Sequence, residues 1–300
     1  MRTKQHYQKI FNFSDESLFI QKIYSEITKL LSENLSLSLR EARLEARFII
    51  EHTLKVQHQY LIKNSNELIK PEKFKKLMGY VKDRLSYKPL AYVLKESKFY
   101  DMKFFVNSNV LIPRQDTELM IDLILNNYQK KDSLNILDLG TGSGAIGIVL
   151  ASKFKKAKVL LTDMSSKALN ISKKNIFFHK LKNISTLKSD WFEKIPNKKF
   201  DLIVSNPPYI NKKDTHLKNK ELLFEPKNAL ISEQKGYADI TKIIKLSPNF
   251  LKSNGALYIE HGYNQSRKVK ELFQKNNFIK IKQKQDINKI YRITSGVIKI

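Results

Sequence analysis

Apolar residues recur at helical spacing early in the chain and give way, further on, to short strand-like runs. From Glu16 to Leu31 the positions Ile20, Ile23, Ile27, Leu30 and Leu31 fall on one helical face, and Ala42, Ala46, Ile49 and Ile50 do the same. A third set, Phe74, Leu77, Met78, Val81 and Leu85, follows Pro71, whose fixed φ and missing N–H suit the first turn of a helix. Each face needs a partner, which predicts a helical bundle over residues 1–87, with Met1 to Asp15 a polar, disordered extension. Between Pro89 and Pro113 the period changes. Lys98-Phe99-Tyr100, a turn at Asp101 and Lys103-Phe104-Phe105-Val106 predict a hairpin bridging two domains, a linker over residues 88–113.

Residues 114–300 then alternate strand and helix. Buried-strand runs fall near 135–139, 158–163, 184–188, 200–205 and 255–260, with helical patterns between most of them. That rhythm predicts an α/β fold with a parallel sheet and right-handed crossovers. Two last runs, Ile279 to Lys284 and Ile290 to Thr294, are separated by a short polar turn and predict an antiparallel pair where the sheet ends.

Composition changes this picture only in places. The 300 residues suffice for two domains with their own cores. There is no apolar stretch of about eighteen residues and no signal-peptide pattern, so a soluble, cytoplasmic protein without a membrane partner is expected. The lack of cysteine excludes disulfides, thiolate nucleophiles and cysteine-based zinc sites. His6, His52, His58, His179, His216 and His261 show no ligand spacing, so no metal site is expected and each is assigned to a surface or loop. The net charge of +26 would ordinarily suggest nucleic acid. Its 47 lysines against 8 arginines are spread along the chain, as solvated faces are, so nucleic acid is not required.

Two motifs carry candidate chemistry. Asn135 to Leu139 reads as a buried strand that breaks into Gly140-Thr141-Gly142-Ser143-Gly144 and then an apolar helix. Glycines let the backbone turn sharply and approach a ligand, and the helix that follows presents free N–H groups. Asp163, at the end of the next strand, sits where a carboxylate would hold ribose hydroxyls. These features alone fit a dinucleotide or S-adenosylmethionine, which shares the adenosine ribose. What separates the two is Asn206-Pro207-Pro208-Tyr209, which follows the strand-like run Phe200 to Ser205. Both prolines fix φ and restrict the residue before them, giving a stiff hook. The hook offers the Asn206 side-chain oxygen and the Pro207 carbonyl as acceptors beside the Tyr209 ring, a set that suits an –NH2 group and points to methyl transfer onto a planar nitrogen. In Ser189-Asp190-Trp191-Phe192, Asp190 can bond an adenine amino group while Trp191 lies against the ring; a core or rim aromatic is the plainer reading of Trp191 taken alone.

From about Leu39 onward the chain resembles the peptide chain release factor N5-glutamine methyltransferases, also called HemK or PrmC proteins. The resemblance rests on Lys88-Pro89-Leu90-Ala91-Tyr92, Leu111 to Glu118, the Asp138 to Gly144 loop, Ser189 to Phe192, Asn206 to Ile210, Phe224-Glu225-Pro226 and Glu260-His261-Gly262. It implies a class I, Rossmann-like, seven-stranded S-adenosylmethionine-dependent methyltransferase domain with an N-terminal helical domain; since every cofactor and hook motif lies from Asp138 onward, the helical domain is expected to recognise the substrate. It implies methyl transfer from S-adenosylmethionine to the side-chain amide nitrogen of the glutamine in the Gly-Gly-Gln loop of release factors. Carried over by residue, Gly140, Thr141, Gly142, Ser143, Gly144, Asp163, Trp191 and Asn206 would contact the cofactor, and Asp190 joins them by the reading above. Asn206, Pro207, Pro208 and Tyr209 would hold the glutamine, with Asn206, Pro207 and Tyr209 as the catalytic set. Release factors are the implied partner, and a monomer is expected. Where the family usually has proline this chain has Gln115, a change expected to loosen that turn. The rival readings are an amino-methyltransferase acting on DNA or RNA, which could use the same hook on a flipped base, and a ribosomal-protein glutamine methyltransferase.

Overall fold

The structure is a computed structural model that describes residues 18–128 and 133–299. The extension expected from Met1 to Asp15 lies outside the described residues. The chain divides into two compact units, which part between Leu94 and Lys95.

The first unit is helical, with helices at Ile20–Leu35, Leu39–Leu54, His58–Lys63, Pro71–Leu85 and Leu90–Leu94. Its faces are those the spacing predicts: Ile23, Ile27, Leu31, Ala42, Ala46, Ile49, Ile50, Leu77 and Val81 are all buried in one core. Leu30 and Phe74 lie at its margin, half-buried. The second helix starts where it does because Ser38 and Glu41 form a reciprocal cap. Ser38 Oγ accepts from the Glu41 amide at 3.2 Å and the Glu41 carboxylate accepts from the Ser38 amide at 2.9 Å. Buried Arg84 donates to both oxygens of Glu45, at 2.6 and 3.0 Å, so its charge is paired inside the bundle. The division falls after Leu94, and the short helix Leu90–Leu94 places Val93 and Leu94 in this core.

The second unit opens with the hairpin β1 (Glu96–Phe99) and β2 (Met102–Phe105). Phe99 and Phe104 enter its core and Asn175 Nδ2 donates to the Phe105 carbonyl at 3.0 Å, so the hairpin is a packed part of this unit. The main sheet comprises β3 (Asn135–Leu139), β4 (Lys158–Asp163), β5 (Ile184–Lys188), β6 (Phe200–Ser205), β9 (Leu251–Glu260), β10 (Phe278–Gln285) and β11 (Tyr291–Ile298). Its spatial order is β10-β11-β9-β6-β3-β4-β5, with β5, β4, β3, β6 and β9 parallel and β11 antiparallel to both its neighbours. This is the seven-stranded sheet that the resemblance implies. The last strand in sequence inserts between β9 and β10 instead of adding to the edge. Between β6 and β9, two very short strands, β7 (Ile210–Asn211) and β8 (Ile231–Ser232), pair in parallel.

The strands read as continuous apolar runs because both faces are covered. On β6, Leu202 and Val204 point into one core cluster and Ile203 into the other. On β3, Ile136 and Leu137 divide the same way.

Candidate active site

Strand order reverses at β3, since β4 lies on one side of it and β6 on the other. A crevice at the carboxyl ends of the strands is the expected ligand site there. The β3–β6 register pairs Leu139 with Ser205, so the next residues, Gly140 and Asn206, leave adjacent strand ends. Ser205 Oγ ties the two together by donating to the Leu139 carbonyl at 2.8 Å. This is how the glycine loop and the proline hook, far apart in sequence, come to face one cleft.

The loop is held from beneath by Asp138. Its Oδ2 accepts from Thr141 Oγ1 at 2.6 Å and from the Gly147 amide at 3.0 Å. Gly140, Gly142 and Gly144 have φ of +67°, +57° and +87°, a region that side chains disfavour. At Gly140 the absent side chain also matters for space, because a Cβ would stand 3.2 Å from the Trp191 ring. At the end of β4, Asp163 accepts from the Ser165 amide at 2.8 Å and the Gly142 amide at 3.0 Å. Burial pushes its pKa up while those two bonds pull it down. Trp191 donates from Nε1 to Asp239 at 3.1 Å, and Asp190 accepts from Lys242 at 3.3 Å. Gly140, Thr141, Gly142, Ser143, Asp163, Asp190, Trp191, Asn206 and Pro208 all line one cleft of about 950 Å³, its open mouth included. Gly144 is not among its lining residues; it caps the helix Ala145–Lys153.

The hook lies between this cleft and a second pocket. Asn206, Leu111 and Arg114 line both, while Pro207, Tyr209 and Leu222 line only the second. Asn206 Nδ2 donates to Thr117 Oγ1 at 3.1 Å. Thr117 Oγ1 donates to Glu260 Oε2 at 2.6 Å, and the Tyr209 hydroxyl reaches Glu260 Oε1 at 3.2 Å. Glu260 is buried, which pushes its pKa up to about 7 against the pull of those two hydroxyls. Burial, then the adjacent Glu260, pushes the Tyr209 phenol far above its ordinary value. The hook's backbone is also pinned: Gln265 Nε2 donates to the Tyr209 carbonyl at 3.1 Å. Arg114 pairs with buried Glu225, which ties the second pocket's rim to the segment after the hook.

Residues 24–94 match the PrmC N-terminal domain and residues 114–291 the methyltransferase small domain. The chain is 39% identical over 254 residues to the release factor glutamine methyltransferase of Buchnera aphidicola subsp. Schizaphis graminum, covering 85% of this chain and 92% of that one. It is 35% identical over 268 residues to the release factor glutamine methyltransferase of Coxiella burnetii, covering 89% and 96%. The chain belongs to the release factor glutamine methyltransferase family. A methyltransferase from Pyrococcus furiosus, 15% identical, has the same fold with a TM-score of 0.51 over 76% of this chain and 99% of that one.

Membership makes the chain a methyltransferase whose methyl donor is S-adenosylmethionine. The cleft fits that donor on its own features. The glycine loop supplies a cradle that a Cβ at Gly140 would narrow against Trp191, and each Asp163 oxygen keeps a lone pair beyond its backbone bond. Asp190 lines the same wall, though it also faces Lys242. Asp138, Thr117, Arg114 and Glu225 have structural partners that sequence reasoning did not assign. The motifs that contain them, and the Glu260-His261-Gly262 motif, were the available signal. His261 lies in the loop after β9, one of the two expected placements, but not at the surface. It is fully buried, with its ring nitrogens 2.9 Å from Thr294 Oγ1 and 3.1 Å from the Gly262 carbonyl oxygen, and burial holds its pKa below the usual value. The turn at Gln115–Thr117 is closed by a 3.1 Å bond from the Thr117 amide to the Arg114 carbonyl, with Gln115 in place of proline. His6 lies outside the described residues.

Proposed function

We propose that this chain methylates the side-chain amide nitrogen of the glutamine in the Gly-Gly-Gln loop of peptide chain release factors. One observation supports the chemistry above others: among the described residues no donor reaches Asn206 Oδ1 or the Pro207 carbonyl, although the Asn206 amide is fixed through its nitrogen. Two free acceptors on a rigid hook suit the two hydrogens of a primary amide. An amide nitrogen is a poor nucleophile because its lone pair is delocalised into the carbonyl. Acceptors on both N–H bonds return electron density to the nitrogen and set the direction of its lone pair. Bound S-adenosylmethionine supplies the electrophilic methyl group. Gly140 to Ser143, Asp163 and Trp191 would hold it, and the hook would hold the nitrogen in line, which takes orientational entropy out of the barrier.

The hook alone would also fit an exocyclic amino group on a base. The family relation favours a glutamine in a release factor, and with it a cytoplasmic site of action. The helical unit, with periodic faces and no catalytic constellation, is assigned to recognition of the protein substrate. Replacing Asn206 by alanine tests the role of the hook. The variant should bind S-adenosylmethionine nearly as the wild type does, while turnover on a release factor falls by about a hundredfold or more, the usual effect of deleting a positioned polar group at a reacting centre. Near-normal turnover would reduce Asn206 to a turn residue.

A further inference from the structure

We infer that Thr117 and Glu260 are positioning residues that fix which way the Asn206 side-chain amide faces. The inference rests on the proposed role of Asn206 as an acceptor for the substrate –NH2. An asparagine amide has two ends of nearly equal shape, one an acceptor and the other a double donor. With the amide reversed, its own NH2 would confront the substrate's NH2, and the hook would repel what it is meant to hold. Something must distinguish the two orientations.

Thr117 alone does not, because a hydroxyl can give or take a hydrogen bond. Its single proton is used elsewhere: Thr117 Oγ1 donates to Glu260 Oε2 at 2.6 Å, and above pH about 7, where Glu260 is ionised, that carboxylate only accepts. Only lone pairs of Thr117 are left for Asn206. The Asn206 nitrogen therefore takes that side, at 3.1 Å, and its oxygen takes the other. The Tyr209 hydroxyl ends on the second oxygen of the same carboxylate, so both ends of the hook are referred to one buried group.

Three separate segments bring these groups together. Thr117 comes from the turn Gln115–Thr117, Asn206 from the end of β6, and Glu260 from the end of β9, where the register sets Ile259 opposite Ser205. Thr117 is 4% exposed and Glu260 1%, so water does not compete for these bonds. Holding a carboxylate there is costly, and burial does push its pKa up to about 7. Arg292 and Asp116 exert opposing fields on it, but Arg292 itself pairs with Asp286 at 2.9 Å and Asp116 at 3.3 Å. A buried carboxylate whose side-chain hydrogen bonds among the described residues go to two hydroxyls beside the hook is what a positioning role requires.

The test compares Thr117→Val, which keeps the shape and removes the hydroxyl, with Thr117→Ser, which restores it. Thr117→Val should lower kcat on a release factor by about tenfold or more, with KM and calorimetric S-adenosylmethionine affinity nearly unchanged, and Thr117→Ser should recover most of the loss. In an Asn206→Ala background the valine substitution should cost nothing further, because there is no amide left to orient. Glu260→Leu supplies a second variant: Tm should fall modestly, since Thr117 and Tyr209 lose a buried acceptor as the buried charge is removed, and kcat of the folded variant should fall similarly with S-adenosylmethionine affinity nearly unchanged. A Thr117→Val enzyme as fast as the wild type, or one whose loss persists in full without the Asn206 amide, would overturn the inference. The side-chain amide protons of Asn206, followed by NMR without any substrate, keep the two readings separate. If the wild type fails to methylate release factors, the functional reading is lost. The positioning role then stands if those signals shift and exchange faster in Thr117→Val, and falls if they do not.

Discussion

At the carboxyl end of β3, Asp138 supports the glycine loop and is itself poorly solvated. One of its oxygens accepts from Thr141 and Gly147, and no donor among the described residues reaches the other. Burial pushes its pKa from 3.8 up to about 7; Asp163 adds to the rise and the two hydrogen bonds oppose it. The folded state therefore holds this proton more tightly than the unfolded chain does. The resulting stabilisation is fully present below the unfolded value and is lost as pH rises through about 7. It amounts to about 4 kcal/mol at most by the pKa difference. Asp138→Asn keeps an acceptor for Thr141 and Gly147 without titrating, so its loss of Tm between acidic and mildly alkaline pH should be shallower than that of the wild type. Parallel Tm profiles would show that Asp138 does not carry this proton. That Asp163, Trp191 and Asn206 share one cleft was legible in sequence because each stands at or just after a predicted strand end, and a parallel sheet brings those ends to one edge. Thr117 and Glu260 were not, since their contact spans 143 positions and each looks locally like a turn residue or a strand terminus.

Among the elements, the long ones were the readable ones. The five parallel strands have apolar runs bounded by turns, and the helices of the first unit have full amphipathic faces, so local pattern and final packing agree. The insertion of β11 between β9 and β10 had no local signal, because antiparallel pairing constrains which strands are neighbours and not which of them faces the rest of the sheet. The β7–β8 pair is only two residues long on each side and was invisible for that reason. It nevertheless fixes the chain directly after the hook. Gly236, close beyond β8, has φ +91°, and a Cβ there would stand 2.3 Å from the Tyr209 carbonyl oxygen. Gly236→Ala should therefore destabilise the protein by about 1–3 kcal/mol, as overpacking typically does, and should slow methyl transfer by displacing the hook. Chemical denaturation together with turnover checks this. Wild-type values for both would mean that the hook does not depend on that close approach.

For the whole molecule, the charge of +26 comes from 47 lysines and 8 arginines against 29 acidic residues. Among the described residues no helix is long and apolar enough to cross a membrane. The division into a helical unit and an α/β unit was readable because the hydrophobic period changes between them. The short helix Leu90–Leu94, which closes the helical unit, is too short to declare itself in the pattern. The central claim is that the cleft and the hook together deliver one methyl group to one glutamine amide. The most direct measurement incubates the full chain with S-adenosylmethionine and a release factor, then locates the added mass by peptide sequencing in the mass spectrometer. The account predicts a single methyl group on the side chain of the Gly-Gly-Gln glutamine, and none on a release factor in which that glutamine is alanine. Methylation elsewhere on the release factor, or transfer only to a ribosomal protein, DNA or RNA offered in its place, would contradict it.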